Sequence, residues 1–540
     1  MKIGIPKAVR RVMVFVLVGI TPLAQSGVHA DLDVPPGGML EITAPAANDA
    51  SLDAPWLEVF GYKLLLDDRT QFEKPDGSAS RAYPIGAGQW LDLRARMVPE
   101  GMLVVERVRK IGRRPLFVRI QEQQSDTFAF PQARNPTAVP LKALIEDDSK
   151  GVSFRFNPAA DVLLGGKIGQ RVRVQDDRDL RLENGDGELA MRFESQLDVL
   201  WKLHENGSFL LLEPQAVLDI RWRAASDAEY SGRGRLSRGH ALIALGDFMA
   251  VHIGRQDFED ARQWIYDEVL DGVRVAAAAK RFEFEIGWST GRRWADAQNE
   301  TQDLTILNLD LRLAIRKNHY IGAWWVARDD ESAKKFTPSL IGLRWQNKPK
   351  AGLRHWVDVA VAGGHAGAEQ IDGIGVDLGL NFIAKGLVRP YGVVALAYGS
   401  GVEQSKSQNT AFRQTGLQGN SDKFGGISRY NYYGEAFAPE LSNRVIASIG
   451  AGVRPTANFS IDAMFHRYQQ VELSEDLGET RLRAKPNGES VDLGVGVDLV
   501  FSARHRDLVV DLIVARFIPG EAFDRNETTR LAELEVEFKF

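Results

Sequence analysis

The stretch Val491-Asp-Leu-Gly-Val-Gly-Val-Asp-Leu-Val-Phe501 decides how this chain is read. Val491, Leu493, Val495, Val497, Leu499 and Phe501 alternate with Asp492, Gly494, Gly496 and Asp498. A period of two belongs to a β-strand with one apolar and one polar face. Outward from this stretch the same texture recurs. Leu307, Leu309, Leu311, Leu313 and Ile315 repeat it, as do Phe282, Phe284, Ile286 and Trp288. Leu534, Val536, Phe538 and Phe540 carry it to the last residue.

Such ribbons can pair their apolar faces in a dry sandwich. Alternatively they turn those faces to lipid and leave the polar faces around a lumen. Three features favour the second arrangement. The polar faces carry many full charges. A terminal aromatic closes an amphipathic strand. Short and long connections alternate. Counting back from Phe540 gives about eighteen runs, an even number as a single-chain bacterial barrel requires. Connections at 246–247, 317–318, 347–351, 386–388, 454–457 and 504–506 are short, whereas those at 257–269, 291–303, 401–439 and 471–489 are long. The expectation is an all-β chain with an antiparallel transmembrane β-barrel of about 18 strands over 161–540.

The segment before the barrel divides further. Lys2, Lys7, Arg10 and Arg11 precede an apolar run at 12–20, and Val28-His-Ala30 offers small residues for cleavage. This predicts a secretory signal peptide over 1–30, cut near Ala30. The apolar run is too short to cross a hydrocarbon core of about 30 Å as a helix. Residues 31–54, rich in Pro, Gly, Ala and Asp, read as a linker. Short β-like runs at 56–66, 89–97 and 102–108, separated by turn signals, predict a small periplasmic β domain over 55–120, with an OB-like barrel as one arrangement. Residues 121–160 carry Pro131, Pro136, Pro140 and Pro158 and read as a linker or plug-like segment.

Composition removes several functions. The net charge of -5 lacks the basic excess of a nucleic-acid binder. With no Cys there is no disulfide framework, thiol nucleophile or Cys-ligated metal. No His-x-x-x-His motif occurs and His is scarce at nine residues, so neither an enzyme site, a metal nor a cofactor is expected.

Alternation assigns an inward set. Its cations include Lys167, Arg171, Arg173, Arg192, Arg274, Arg312, Arg344 and Arg354; its carboxylates include Glu194, Asp198, Asp310, Asp358, Asp377 and Asp498. Basic residues crowd the first two-thirds of the barrel sequence and the later strands are mostly acidic or neutral. That segregation predicts a transverse field across the pore. Arginine suits carboxylates because its planar fork bonds both oxygens. Taken singly these residues are expected to pair with one another; as a group they suggest an anion pathway.

Two stretches carry a family likeness. Val251-His-Ile-Gly-Arg-Gln-Asp-Phe-Glu-Asp-Ala-Arg-Gln-Trp-Ile-Tyr-Asp267, followed by Asp271-Gly-Val-Arg274, resembles the Gly-Arg-Gln signature and acidic-aromatic loop of the alginate export porin family. Phe412-Arg-Gln-Thr-Gly-Leu-Gln418, Arg429-Tyr-Asn-Tyr-Tyr-Gly-Glu435, Pro439-Glu-Leu-Ser-Asn443 and His466-Arg-Tyr468 resemble that family in order and spacing. The likeness covers about 160–540. It implies an eighteen-stranded outer-membrane barrel that lets an anionic exopolysaccharide leave the cell through an arginine-rich constriction gated by loops. Arg255 and Arg274 match the first motif; Arg413, Arg429 and Arg444 match the second. Parity places Arg255 with the outward Val251 and Ile253. Either Gly254 opens a β-bulge that re-aims it, or it stands above the membrane edge. The 401–439 segment is expected as an extracellular lid or an inward-folded loop. The implied partners are anionic polysaccharide, outer-membrane lipid and periplasmic secretion-complex proteins. The competing function is a porin, general or substrate-specific, for small anions.

Overall fold

Lipid offers no hydrogen bonds, so strands that cross it must pair on both edges and close on themselves. The computed structural model describes 39–45, most of 50–110, 154–159 and 162–540, apart from 181–186, 205–207, 224–227, 292–303, 331–334, 403–409 and isolated turn residues. The expected signal peptide and most of the 121–160 segment lie outside the described residues. The chain forms two compact units, 1–123 and 124–540.

In the second unit, eighteen antiparallel strands run from Val162–Asp176 to Thr529–Lys539 and close into a barrel. Each strand pairs with the next in sequence. Tyr391–Gly399 pairs with Arg444–Thr456 across the longest connection. The first and last strands close the ring, with Arg173 opposite Glu533 and Arg171 opposite Glu535. A short strand, Phe154–Ala159, folds back on the start of Val162–Asp176. It lies where the sequence suggests only a linker.

The apolar alternation faces outward. Phe282, Phe284, Ile286 and Trp288 are exposed, as are Leu307, Leu311, Leu313 and Ile315. Buried polar residues lie on the opposite parity, among them Asn308, Arg344, Asp358 and Asp377. One position breaks the pattern. Leu493 is fully buried although its alternation partners Val497 and Leu499 are exposed. The register shifts beside it, with Tyr468 paired to Gly494 and Gln469 to Asp492. Leu493 is the extra residue, so the phase reverses there and its side chain joins the inner apolar cluster.

The seam is fastened by the last residue. Phe540 N–H donates to the Gly166 carbonyl and Gly166 N–H donates to the Phe540 carbonyl, at 2.9 and 2.8 Å. A Cβ on Gly166 would lie 2.4 Å from the Gln196 carbonyl oxygen and 2.7 Å from the Phe540 ring. Only glycine allows that approach.

The first unit is a seven-stranded sheet with the path Met39–Pro45, Trp90–Met97, Leu103–Lys110, Tyr62–Leu65 and Trp56–Val59. Leu57, Leu64, Phe72, Leu91, Leu93 and Val108 form its core. It departs from the sequence reading at Met39–Pro45, which falls in the expected linker but pairs fully with Trp90–Met97. The described strands include parallel pairings to Leu103–Lys110.

Gly166→Val should prevent the seam from closing. Loss of the heat-modifiable folded band on gel electrophoresis would show this; an unchanged band would mean that the seam tolerates a side chain there.

Candidate functional site

The chemistry of the barrel lies on its inner wall and on two connections that fold against it. The first, 260–266, is shaped by Asp260. Its Oδ1 accepts the Ile265 and Tyr266 N–H groups at 2.8 and 3.3 Å, closing a tight turn. Its Oδ2 meets the Arg344 guanidinium, which also binds Asp358 on the neighbouring strand. The second connection, 400–443, is tied to the first. Gln414 donates to the Trp264 carbonyl and Thr415 to the Ile265 carbonyl. Asp267 N–H donates to Leu417 O at 2.7 Å, and Asn420 N–H to Gln263 O at 2.8 Å.

The longer connection is the inward-folded alternative rather than a lid. Its aromatic residues Phe412, Phe424, Tyr430, Tyr432, Tyr433 and Phe437 are buried. The Gly425–Gly426 step is its deepest part. Gly425 lies against the Tyr391 ring and Gly426 against the Asp462 carboxylate, where a Cβ would come within 2.4 and 2.3 Å. Around it, Asn381 donates to Phe424 O, Ile427 N–H donates to Ser460 Oγ at 3.0 Å, and Arg504 donates to Ile427 O at 3.3 Å. Asn381, Tyr391, Ser460 and Arg504 all sit near short turns, so the segment descends from the long-loop end almost to the short-turn end.

Arg262 joins the two connections to the wall. Its guanidinium lies 4.2 Å from the Trp356 ring centre and 4.6 Å from that of Tyr432. It reaches Asp377 at 3.3 Å, Asp422 at 3.6 Å and Asp358 at 3.7 Å. A planar cation between two π faces with carboxylates at its edge uses both properties of arginine. Burial opposes the charge, but Asp377, Tyr432, Asp422 and Asp358 outweigh it and raise the Arg262 pKa. Burial would likewise raise Asp422. Lys348, Arg262 and Arg429 overcome that and hold its carboxyl down at about 2.

The sequence-predicted residues separate into groups. On the inner wall near the seam, Lys167 meets Glu537 at 3.3 Å, Arg171 meets Glu535 at 2.9 Å and Glu533 at 3.4 Å, Arg173 meets Glu533, and Arg192 meets Asp219 at 2.6 Å. These side chains remain 28%, 39%, 34% and 32% exposed. Elsewhere the wall is covered. Arg274 is buried beside His252 and the Asp257 carbonyl. Arg312 pairs with Asp310 at 2.7 Å, Arg344 is 2% exposed, and Arg354 donates to Pro349 O at 2.8 Å.

In the connections, Arg413 binds Glu440 at 3.0 Å and Arg429 faces Glu259 at 3.6 Å. Arg444 donates to the Glu440 and Leu477 carbonyls. Arg255 keeps the parity of the exposed Ile253, and pairing at Gly254 is unbroken on both sides. The bulge lies instead in the next strand, between the Leu212 and Pro214 pairings. Arg255 donates to Leu236 O beside that bulge and holds Asp271 at 2.8 Å.

At the seam, Glu533, Glu535 and Glu537 on the last strand stand beside Arg173, Arg171 and Lys167 on the first, so charges far apart in the sequence meet there. Sequence reasoning passed over Arg262, although it stands within the 251–267 motif. Its signal is a second arginine two residues after an aspartate in a connection, with aromatic residues concentrated in the longest loop.

Residues 143–536 match the alginate export family model. The chain belongs to the alginate export family. It is a barrel of the outer membrane. Among curated relatives, the alginate production protein AlgE of Pseudomonas aeruginosa is 26% identical over 149 residues, 27% of this chain and 30% of that protein. AlgE of Azotobacter vinelandii is 30% identical over 142 residues, 24% of this chain and 28% of that protein. These matches thus span under a third of either relative. Solved structures similar to the chain include OccK11 (OpdR) of Pseudomonas aeruginosa, at 14% identity and a TM-score of 0.45, covering 72% of this chain and 98% of that one.

Arg262→Ala should free the 400–443 connection. A buried cation lost from among carboxylates costs about 3–5 kcal/mol, and Arg262→Lys should not rescue it because ammonium lacks the stacking plane. Larger and noisier single-channel currents, with new proteolytic cuts in 410–443, would be seen. The depressed Asp422 pKa gives a sign for pH. Its stabilisation is complete above about pH 4 and is lost as pH falls through about 2. Current noise should therefore be steady from pH 7 to about 4 and rise below about 3.

Proposed function

We propose that this barrel exports an anionic, uronate-type polysaccharide along the part of the inner wall next to the seam. The observation that carries this reading is the difference in cover between the two sides of the lumen. The connections 260–266 and 400–443 pack over Arg344 and Trp356 through Asp260, Arg262 and Phe424. Lys167, Arg171, Arg173 and Arg192 stay accessible on the polar parity. A passing carboxylate can exchange with the glutamates already at these cations. Charge-assisted, bidentate contacts hold it, and competition from the resident carboxylates keeps each contact weak enough to release. The match to the alginate export family supports the polymer class. An even number of strands returns both barrel ends to the short-turn side, which supports reading the 39–110 sheet as a periplasmic unit that meets polymer or secretion-complex proteins.

Purified protein in planar bilayers should show single-channel currents blocked by a polyuronate and not by a neutral dextran of equal length. The triple substitution Arg171→Gln, Arg173→Gln, Arg192→Gln should weaken that block by about tenfold or more, the loss of about 1.4 kcal/mol or more. A large conductance indifferent to polyuronate would instead identify a porin for small anions.

A further inference from the structure

At the short-turn end of the barrel, the lipid-facing side of the wall carries a row of polar side chains. Four successive strands, Leu304–Arg316, His319–Asp330, Phe336–Asn347 and Gly352–Ala366, bring it together. Arg316 pairs in register with His319, His319 with Asn347, and Asn347 with His355. The next row toward the membrane centre is Leu313, Ile321, Trp345 and Val357, in the same register. Ile321 and Trp345 are 45% and 44% exposed, which marks this as the outer face. A register shift between the Ala314 and Arg316 pairings turns Arg316 onto it. Without that shift Arg316 would follow Arg312 and Ala314 to the lumen.

The row is held together sideways. Trp345 Nε1–H donates to His319 Nε2 at 2.7 Å. That nitrogen therefore carries no proton, and in the neutral ring Nδ1 is the donor. The His355 ring centre lies 4.4 Å from that of Trp345 and 5.3 Å, edge to face, from that of His319. Arg316 is exposed, acts electrostatically on the His319 ring and forms no ion pair among the described residues. His355 Nε2 is buried with no hydrogen-bond partner among them. Aromatic girdles are ordinary at this depth of a barrel. A guanidinium without counter-charge beside a buried nitrogen without a partner is not. No carboxylate offsets them. Residues 280–282, 316–319 and 347–355 contain no Asp or Glu. The nearby Glu283 and Asp358 pair in register with the inward Arg312 and Arg344, and Asp310 binds Arg312 on the same inner side.

We infer that Arg316, His319 and His355 bind the phosphate of an anionic phospholipid in the periplasmic leaflet, the leaflet that meets the short turns of such barrels. The Arg316 fork bonds two phosphate oxygens. His319 Nδ1–H and His355 Nε2 stand beside it in the row. Acyl chains then cover Leu313, Ile321 and Val357, which a free anion would leave bare. With one imidazole lone pair taken by Trp345 and a guanidinium opposite, the row suits an anion and not a metal cation. The flanking turns contribute Lys280, Arg281, Lys317 and Lys350. Their charge favours a net-negative headgroup over a zwitterionic one. The site is independent of which polymer the lumen carries.

The test titrates the full chain in detergent with phosphatidylglycerol and counts bound lipid by native mass spectrometry. Phosphatidylethanolamine, diacylglycerol and inorganic phosphate serve as comparisons. Phosphatidylglycerol should bind about tenfold or more tightly than diacylglycerol, and more tightly than phosphatidylethanolamine. Inorganic phosphate should not displace it. Arg316→Gln combined with His355→Ala should weaken retention by about tenfold or more, while Arg316→Lys keeps part of it because charge remains without the fork. Lys385→Gln removes an exposed charge from another turn at the same end and should change nothing. The heat-modifiable band reports folding of each variant, and the lipid comparison on the unaltered chain stands whether or not a variant folds. Unchanged retention in the double variant overturns the inference. Equal loss in Lys385→Gln also overturns it, since diffuse charge would then suffice. Displacement by inorganic phosphate, or equal retention of diacylglycerol, does the same.

Discussion

Pairing of the first barrel strand with the last is the constraint on which the rest of this structure depends. Inside lipid an unpaired strand edge leaves a row of backbone donors and acceptors unsatisfied. Arg171 opposite Glu535 and Arg173 opposite Glu533 align that closing ladder, and Phe540 against Gly166 completes it. Because the edge must close, a terminal strand rich in glutamate lies beside an initial strand rich in arginine and lysine. The electrostatics of the lumen follow from ring closure as much as from composition.

Closure also creates an interior too wide for wall side chains to fill. Here the connections 260–266 and 400–443 occupy part of it, and they bring their own polar partners. Arg262 stacked between Trp356 and Tyr432 serves three aspartates from different segments. Burying so many charges is tolerable only because each has opposite charge or hydrogen bonds nearby. The part of the wall left uncovered is the seam side, where the charged side chains keep access to water.

The strand pattern was open to reading from residue order alone because outward and inward environments differ so sharply. Leu307, Leu311 and Leu313 had to face lipid, and the eighteen-run parity followed from where short and long connections fell. The exceptions have physical causes. Leu493 reversed because it is itself the extra residue of a bulge, and a single extra residue leaves no mark in hydropathy. Arg255 was assigned outward by parity; Asp271 stands directly opposite it in the unbroken register, and only its carbonyl partner Leu236 lies beside a bulge in a neighbouring strand. Met39–Pro45 looked like a linker because its strand character comes from pairing with Trp90–Met97, about fifty residues away.

The sequence by itself determined that this chain is a β-barrel with charged inner faces, because a period of two records which face each residue must show to its surroundings. Only the tertiary structure decided which of those charges meet. Contacts such as Arg262 with Asp377 and Asp422, or Arg171 with Glu535, join residues far apart in the chain. Their geometry is set by strand register, ring closure and the descent of a loop into the lumen.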